Sequence, residues 1–371
     1  MKFTVSRDEL ADKLQTVLSV VSTRTTLPIL GNILIKAEGE KLEIAATDLD
    51  LSVTCSVAAK VSKGGVTTVP GRTFSDMVRE LPEEDVVVSV SNNRMEIKTG
   101  RGTYKISGMP AEEFPKLPTI SPAGEIQIPG DQLKSMVRRT AYAVSVDPTR
   151  PALNGILWQE NGKQMHMVAT DGHRLARVTV PENRLAGHKG DLIIPPKALA
   201  LVIKILGDLT DGVGIALGEK NILFRVGDTV VTTRLIEGPY PNYEQVIPTS
   251  NDKRMIVDAA TLMAGVRRVA VLSNSLTHQV KFSLSNDKLE LSAANQDIGG
   301  EAKESLPCQY QGEDLEIGYN ANYVLDMLKN YEEGDVVFEL ATSVSAGIVR
   351  AAKETKDDDY LCLIMPLRLA E

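Results

Sequence analysis

An aspartate and a histidine stand two residues apart in the segment 169–176, which reads Ala-Thr-Asp-Gly-His-Arg-Leu-Ala. A carboxylate close to an imidazole can serve acid–base or nucleophilic catalysis, so a cytosolic hydrolase that uses Asp171 and His173 in an inter-domain cleft is one interpretation. The sequence has no Gly-x-Ser-x-Gly nucleophile elbow to accompany this pair. Because an aspartate in a tight turn more often stabilises the turn through hydrogen bonds, we expect no catalytic residue in this chain.

Other residue patterns with chemical potential are weak. Neither Gly-x-x-x-x-Gly-Lys-Ser/Thr nor a Gly-x-Gly-x-x-Gly between a strand and a helix occurs, so no phosphate-binding loop is predicted. The four histidines lack the spacing of metal ligands: His166, His173, His188 and His278. The three cysteines are odd in number and far apart, which indicates free thiols in a reducing compartment: Cys55, Cys308 and Cys362. We therefore expect neither a cofactor nor a bound metal.

Composition is typical of a globular protein, with 43% hydrophobic and 24% charged residues in 371. Aromatic residues make up only 4%, so stacking of nucleic-acid bases on aromatic rings is not expected to be a main activity. No window holds the roughly 20 apolar residues that a membrane-spanning helix needs. The N-terminus enters a strand pattern at once, without the apolar core of a signal peptide. These observations predict a cytoplasmic protein without membrane association.

The turn that carries Asp171 belongs to a longer repeat. Ala46-Thr47-Asp48 recurs 123 residues later as Ala169-Thr170-Asp171, and a degenerate copy, Ala293-Ala294-Asn295, follows after another 124 residues. Such self-similarity indicates a duplicated structural unit, and three units of about 120 residues fill the chain. We predict three similar domains over residues 1–118, 126–248 and 254–371, joined by linkers rich in Pro, Ser, Gly or polar residues.

Each repeat has the same order of predicted elements. A short strand leads into an amphipathic helix, a hairpin precedes the repeated turn, and a second helix and a meander of strands follow. The first helices, with their entry strands, are predicted within residues 3–22, 126–145 and 255–274, and the second helices within 69–81, 194–206 and 318–328. The fold class is therefore α+β, with three tandem domains, each having two helices packed on antiparallel sheets.

Positive charge is concentrated on these helices. A summed charge of +4 falls on the six helical segments and leaves −12 for the rest of a chain whose net charge is −8, with the segments taken as residues 7–22, 71–82, 130–145, 196–207, 258–273 and 320–331. Solvated helix faces are an equally simple explanation of this pattern. If the helices of two chains lined a ring, however, twelve of them at about 10 Å spacing would leave an opening of roughly 28 Å, enough for duplex DNA.

These features resemble those of one known family, the bacterial DNA polymerase III beta subunits, which are sliding clamps. The resemblance covers the full length and is carried by four motifs: Leu27-Pro28-Ile29-Leu30-Gly31-Asn32, residues 169–176, Gly318-Tyr319-Asn320-Ala321-Asn322-Tyr323-Val324-Leu325, and Met365-Pro366-Leu367-Arg368-Leu369. It implies a non-catalytic homodimer with the DNA clamp fold, a head-to-tail dimeric ring that encircles duplex DNA and confers processivity. The implied partners are a clamp loader complex, the replicative DNA polymerase alpha subunit, and other polymerases or repair proteins that bind through short peptide motifs.

The resemblance also implies a pocket for partner peptides. It would be formed by Leu153, Thr170, Gly172, His173, Arg174, Leu175, Pro241, Val246, Leu363, Met365, Pro366, Leu367 and Arg368. Apolar residues of this kind accept apolar peptide side chains, and His173 and Arg174 could orient polar parts of the peptide. The alternative is that some of them, Leu175 above all, belong to the core. Gln245, where related clamps often have a basic residue, and the extension Ala370-Glu371 leave the preferred peptide sequence open.

Two further surfaces follow from the same resemblance. The dimer interface would contain Arg101, Tyr104, Lys105, Ile106, Val271, Leu272, Glu301 and Glu304. The DNA-binding residues would be Arg24, Arg72, Lys134, Arg138, Arg150 and Lys197, which would contact phosphates without reading sequence. Besides the hydrolase, a peptide-binding scaffold unrelated to DNA stays open as an alternative.

Overall fold

The computed structural model describes residues 1–22, 25–82, 85–100, 102–121, 124–181, 190–208, 212–331, 334–353 and 359–369. Within these ranges the six predicted helices are confirmed, each shorter than its predicted segment. They are α1 Arg7–Val17, α2 Gly71–Glu80, α3 Gly130–Ala141, α4 Pro196–Leu206, α5 Ala259–Ala270 and α6 Ala321–Leu328.

Strands account for most of the remaining described chain. The first repeat has β1 Lys2–Ser6, β2 Asn32–Glu38, β3 Lys41–Thr47, β4 Leu51–Ala58, β5 Lys60–Lys63, β6 Gly65–Pro70, β7 Asp85–Ser91, β8 Arg94–Lys98 and β9 Thr103–Ser107. The second has β10 Ile126–Ile128, β11 Ile156–Asn161, β12 Gln164–Thr170, β13 Arg174–Val180, β14 Leu192–Ile194, β15 Val213–Leu217, β16 Asn221–Val226 and β17 Thr229–Arg234. The third has β18 Lys253–Asp258, β19 Gln279–Ser285, β20 Lys288–Asn295, β21 Gly300–Pro307, β22 Gln309–Tyr310, β23 Leu315–Asn320, β24 Asp335–Leu340, β25 Gly347–Ala351 and β26 Asp359–Ile364.

Helices begin where strands end, for local chemical reasons. In α5 the carboxylate of Asp258, the last residue of β18, accepts a hydrogen bond of 2.7 Å from the backbone N–H of Thr261 and so caps the helix. In α6 the side chain of Asn320 caps the N–H of Asn322 in the same way. The buried residues of α4 recur at helical spacing, among them Ala198, Val202 and Leu206.

The chain divides into two compact units, residues 1–133 with 197–235, and residues 134–196 with 236–371. The first unit contains a five-stranded sheet of order β5-β1-β7-β8-β9 and an eight-stranded sheet of order β10-β15-β16-β17-β4-β3-β2-β6. In the larger sheet β17 of the second repeat pairs antiparallel with β4 of the first, and Val231 lies opposite Val53. We call this strand pair the first joint.

The second unit has a nine-stranded sheet of order β14-β11-β12-β13-β26-β25-β24-β18-β22 and a four-stranded sheet of order β21-β20-β19-β23. Here β26 of the third repeat pairs antiparallel with β13 of the second, and Cys362 lies opposite Ala176. We call this pair the second joint. The repeats are therefore connected by continuous sheets, whereas the sequence had indicated only the sheets within each repeat.

Two strands that correspond to the joint strands lie at the ends of their sheets. β9 is the last strand of the first repeat's meander, as β17 and β26 are in theirs, and β21 follows the third hairpin as β4 and β13 follow the other two. Each presents one edge that pairs with no other strand among the described residues. In the same described part of the chain, no helix is both long and apolar enough to cross a membrane.

Candidate functional site

The turn between β12 and β13 is closed by its own side chains. One oxygen of Asp171, Oδ1, accepts hydrogen bonds from the backbone N–H of His173 at 2.9 Å and of Arg174 at 3.0 Å. The hydroxyl of Thr170 donates to the carbonyl of Arg174 at 2.7 Å and accepts from the N–H of Gly172 at 3.1 Å. Such bonds between an aspartate and the backbone of the next residues hold a tight turn.

The first repeat forms the same turn without a histidine. Asp48 Oδ1 accepts from the N–H of Asp50 at 3.2 Å and of Leu51 at 2.8 Å, and the Thr47 hydroxyl donates to the carbonyl of Leu51 at 3.1 Å. A bonding pattern shared by a turn with His173 and a turn without one does not depend on that histidine. The aspartate therefore holds the turn rather than serving as a catalytic base.

Arg174 connects this turn to helix α6. Its Nε lies 3.1 Å from Asp171 Oδ2 and its Nη1 lies 3.0 Å from Asp326 Oδ2. The guanidinium also stacks over the rings of Tyr323, at 4.4 Å, and Tyr142, at 5.3 Å. With the side chain only 13% exposed, this cation is held inside the structure by two carboxylates and two aromatic rings.

The carboxylate of Asp326 is kept ionised by its partners. Burial by itself would raise the pKa of Asp326, but hydrogen bonds from Lys329 and Arg174 outweigh that effect and lower the pKa. The ion pair between the turn and α6 is therefore intact at neutral pH.

Buried apolar residues form a floor next to the turn. Leu175 on β13 lies directly opposite Leu363 on β26, and Leu153 belongs to the same cluster. The cluster also includes Leu157, Val168, Ile193, Tyr240, Tyr243, Ala346, Ile348 and Leu361. Leu153, Leu175 and Leu363 are almost completely buried, so these three predicted pocket residues belong to the core.

Other predicted pocket residues are accessible beside this floor. Val246 is 57% and Met365 is 39% exposed, and Pro241, Gly172 and His173 are exposed as well. Exposed apolar side chains next to an apolar core are typical of surfaces that bind another molecule. The arrangement can take an apolar ligand at Val246 and Met365.

The C-terminal segment is held in place through its backbone. The N–H of Met365 donates to the carbonyl of His173 at 2.8 Å, and the N–H of Leu367 donates to the carbonyl of Gly318 at 2.8 Å. A Cβ atom on Gly318 would lie 2.9 Å from the carbonyl oxygen of Leu367, so this close approach requires a glycine. The segment 365–368 thus starts beside the turn, at Met365, and reaches the edge of β23 at Leu367.

Comparison with known proteins gives the family. Residues 1–118, 127–242 and 244–368 match the family models for the N-terminal, central and C-terminal domains of the DNA polymerase III beta subunit. The chain belongs to the DNA polymerase III beta subunit family. It is 33% identical to the beta sliding clamps of Pseudomonas aeruginosa and of Escherichia coli K12, with complete coverage of both chains in each comparison.

Solved structures of the family agree with this assignment. A DNA polymerase sliding clamp from Pseudomonas aeruginosa superposes with a TM-score of 0.93 at 33% identity, and one from Bacillus subtilis with 0.94 at 30%, each over the whole of both chains. The predictions of three tandem clamp domains and of a non-catalytic DNA sliding clamp are confirmed. The hydrolase alternative receives no support, in agreement with the structural role of Asp171.

The cations predicted to bind DNA in this sliding clamp lie in different environments. In the first unit, Arg72 is exposed on α2 and Lys197 is exposed on α4, where it pairs with Asp48. In the second unit, α3 carries Lys134 and the exposed Arg138. Arg24 lies outside the described residues.

Arg150 differs from the other described cations of that set, because it lies on no helix. Its Nε is 2.9 Å from Asp147 Oδ2, and its Nη1 is 3.0 Å from the position that a Cβ atom on Gly172 would occupy. The guanidinium therefore adjoins the turn of the candidate pocket.

The residues predicted for the dimer interface of the clamp fall into two groups. The apolar group includes the exposed side chains of Val271, at 77%, and Tyr104, at 38%, together with the half-buried Leu272 and the buried Ile106. The charged group already has partners within the chain: Lys105 with Glu96, Glu301 with Lys303, and Glu304 with Arg268. Arg101 lies outside the described residues.

Some residues that shape the site were not predicted from the sequence. Tyr323 and Asp326 on α6 hold Arg174, while Ala346 belongs to the floor and Val344, two residues earlier, is 66% exposed. Tyr323 stands in one of the family motifs, which could have drawn attention to it. No spacing in the sequence relates Ala346 or Val344 to the turn.

Proposed function

We propose that two copies of this chain close head to tail into a ring around duplex DNA, with the domains at residues 1–118, 126–248 and 254–371. The observation that carries this proposal is the strand pair that recurs at both joints. In each joint the last meander strand of one repeat pairs antiparallel with the strand after the hairpin of the preceding repeat. β9 and the partner's β21 are the remaining strands of these two kinds, and an unpaired strand edge readily accepts another strand.

The register of the two joints predicts the register between chains. Three residues are equivalent because each lies opposite the first alanine of the repeated segment in its own repeat. Val53 lies opposite Ala46, Ala176 opposite Ala169, and Ala302 opposite Ala293. The last meander strands are also equivalent on their other edge, where each pairs with the strand before it. There Val231 lies opposite Phe224, Cys362 opposite Val349, and Ile106 opposite Met95, and the three opposite residues are all fully buried. By this equivalence, Ile106 would lie opposite the partner's Ala302.

Cysteine cross-linking tests this register. If Ile106 faces the partner's Ala302, antiparallel pairing brings Ser107 next to the partner's Glu301, and both side chains are exposed. The double variant Ser107→Cys, Glu301→Cys should form a covalent dimer on mild oxidation, visible on a non-reducing gel. The matched control Ser107→Cys, Ala302→Cys is shifted by one residue, so its thiols point to opposite faces and should not cross-link. Equal cross-linking of both variants would contradict the register.

Topology rather than tight binding would keep such a ring on DNA. The helices carry net positive charge in an acidic chain, which provides weak phosphate attraction compatible with sliding. The test uses a linear duplex with biotin at both ends, onto which the protein threads before streptavidin blocks the ends. We expect protein to survive a high-salt wash on blocked duplex and to be lost from open duplex. Equal loss from both would exclude an encircling ring, and equal retention would indicate ordinary binding.

We further propose that the surface around Val246 and Met365 binds short apolar peptides of partner proteins. The partners we propose are the clamp loader complex, the replicative DNA polymerase alpha subunit, and other polymerases or repair proteins, all acting in the cytoplasm. Three observations support this proposal: the buried floor of leucines, the exposed side chains of Val246 and Met365, and the backbone hydrogen bonds that hold the C-terminal segment. Arg150 is assigned to this pocket because it adjoins Gly172.

A known clamp ligand provides a probe. Solved sliding clamps from Pseudomonas aeruginosa and Bartonella birtlesii contain griselimycin. We propose that griselimycin binds this chain at the candidate pocket around Val246 and Met365. Val246→Glu and Met365→Glu should each weaken it at least about tenfold, because they place a charge in an apolar contact. Val66→Glu, at an exposed valine of the first unit, is the matched control and should bind normally. Unchanged affinity in both pocket variants would refute the assignment.

A further inference from the structure

A buried histidine behind the candidate pocket has no role in the function proposed so far. His166 on β12 is only 4% exposed and lies between the fully buried Met165 and Met167 in sequence. Its Nδ1 is 3.2 Å from the hydroxyl of Tyr243, while its Nε2 has no hydrogen-bond partner among the described residues. A buried polar side chain with an unsatisfied atom lowers the stability of the fold. The presence of a histidine at this buried position therefore needs an explanation.

The direction of the hydrogen bonds is determined by the neighbours. The Tyr243 hydroxyl donates its single proton to Gln159 Oε1 at 3.2 Å, and the amide of Gln159 donates to Asp191 Oδ1 at 2.9 Å. The Tyr243 oxygen must therefore accept from His166 Nδ1–H. Burial, followed by the charge of Arg177, lowers the pKa of His166, which is consistent with a neutral ring protonated at Nδ1.

Tyr243 is one of two buried tyrosines, with Tyr240, that attach one wall of the candidate pocket to the core. It begins the short 3-10 helix Tyr243–Val246, and its ring lies in the cluster that contains Leu175 and Leu363. Pro241 and Val246 stand on either side of it in this segment. Residues Tyr240 to Glu244 also line a solvent-open cavity of about 370 Å³, so one side of the segment is not covered by protein. Its position therefore depends in part on the contacts that Tyr243 makes, together with the packing of Tyr240 in the same cluster.

We infer that His166 is a positioning residue of the partner pocket: by holding the Tyr243 hydroxyl, it sets the place of Pro241 and Val246. This inference rests on the proposed peptide-binding function. It requires no contact between His166 and the ligand. It also explains why a position between two buried methionines carries an imidazole, since a purely apolar side chain has no donor for Tyr243.

Griselimycin affinity tests the inference in the full-length protein. His166→Leu removes the donor and should weaken griselimycin about five- to tenfold, as should Tyr243→Phe from the other side. His166→Asn restores a donor near the position of Nδ1 and should recover most of the affinity. The double variant His166→Leu, Tyr243→Phe should bind no more weakly than either single variant, because all three lack the same bond. Retention on end-blocked DNA should stay unchanged in every variant.

The outcomes separate this inference from the function on which it rests. Griselimycin affinity that is unchanged in His166→Leu and Tyr243→Phe, with a lowered thermal midpoint, would assign His166 to stability alone and overturn the inference. Additive losses in the double variant, or no recovery in His166→Asn, would overturn it as well. If griselimycin fails to bind the unmodified protein, or binds regardless of Val246 and Met365, the proposed pocket itself is wrong.

Discussion

The two joints have the same backbone and different side chains. At the second joint the N–H of Met365 donates to the carbonyl of His173 at 2.8 Å, and at the first joint the N–H of Arg234 donates to the carbonyl of Asp50, also at 2.8 Å. Both turns are closed by a threonine and an aspartate with equivalent hydrogen bonds. Duplication has therefore preserved the connection between neighbouring repeats down to single backbone contacts.

Side chains at one equivalent pair of ladder positions distinguish the joints. Leu175 lies opposite Leu363 at the second joint, where the first has Ser52 opposite Thr232. The leucines belong to the apolar floor below the exposed Val246 and Met365, whereas a serine and a threonine provide no such floor. The comparison teaches that the strand pairing connects the repeats, while a few side chains distinguish the joint that carries the candidate pocket from the joint that does not.

The largest effect is expected where the second joint is made to resemble the first. Leu363→Thr should lower stability by about 2–4 kcal/mol, because it leaves a cavity and buries a hydroxyl. Griselimycin binding should be lost with it. The midpoint of urea denaturation and the affinity are the two measurements. Thr232→Val at the first joint is the matched change and should alter stability by no more than about 1 kcal/mol, the net contribution of one hydrogen-bonding group. Comparable losses in the two variants would mean that the joints do not differ as described.

Arg174 has no cationic counterpart at the first joint, where Leu51 occupies its position. Arg174→Leu should cost about 2–3 kcal/mol, because Asp171 would then be partly buried without a cation and Asp326 would keep only Lys329. Denaturation midpoints should show it. As a control, Arg350→Leu removes an exposed pair with Asp359 and should change stability little. A small effect of Arg174→Leu would show that the carboxylates are satisfied by solvent.

The turn aspartates should be equivalent in stability but not in ligand binding. Asp48→Ala and Asp171→Ala should each cost about 1–2 kcal/mol, because each leaves two backbone N–H groups without their acceptor. Only Asp171→Ala should weaken griselimycin. Asparagine keeps an acceptor oxygen, as Asn295 does for the N–H of Asp297 in the third repeat, so Asp171→Asn should retain the turn. Thermal midpoints of the three variants test this order.

One residue of the first turn is strained where the second has a glycine. Leu49 has φ of 85°, in the left-handed region, and Gly172 has φ of 91°. Leu49→Gly should therefore stabilise the protein by roughly 0.5 kcal/mol, the balance of relieved strain and added chain entropy. Gly172→Leu should destabilise it and displace Arg150. A destabilised Leu49→Gly protein would show that the exposed leucine makes a contact that outweighs its strain.

The smallest expected effect is a pH dependence of stability caused by His166, the histidine that contacts Tyr243 in the wall of the candidate pocket. The pKa of His166 is lowered in the folded protein, so below the unfolded value of about 6.5 the unfolded chain binds a proton that the folded chain does not. Stability should therefore fall as pH decreases from about 6.5 towards the folded pKa. Relative to His166→Asn, the thermal midpoint should fall by about 1–3 °C more between pH 7 and pH 5.5. Parallel curves would contradict the shifted pKa.

Local features of this protein were predictable from the sequence because they depend on residues close together in the chain. The helices followed from apolar spacing, and the structural reading of Asp171 followed from turn chemistry. The sequence left open whether Leu175 belongs to the pocket or to the core. Its burial shows that it is a core residue, and the same cluster lies below the candidate pocket. The role of Arg174 was not predictable, since Asp326 is 152 residues away in the chain.

The sequence by itself determined the threefold repeat, the type and order of the elements, and the family, because periodicity, turn residues and motifs are written in neighbouring positions. Only the tertiary structure decided that sheets run across the repeats, that Leu175 meets Leu363, and that His166 holds Tyr243. Those contacts join residues that are far apart in the chain, and they depend on strand register and on the competition between burial and hydrogen bonding in three dimensions.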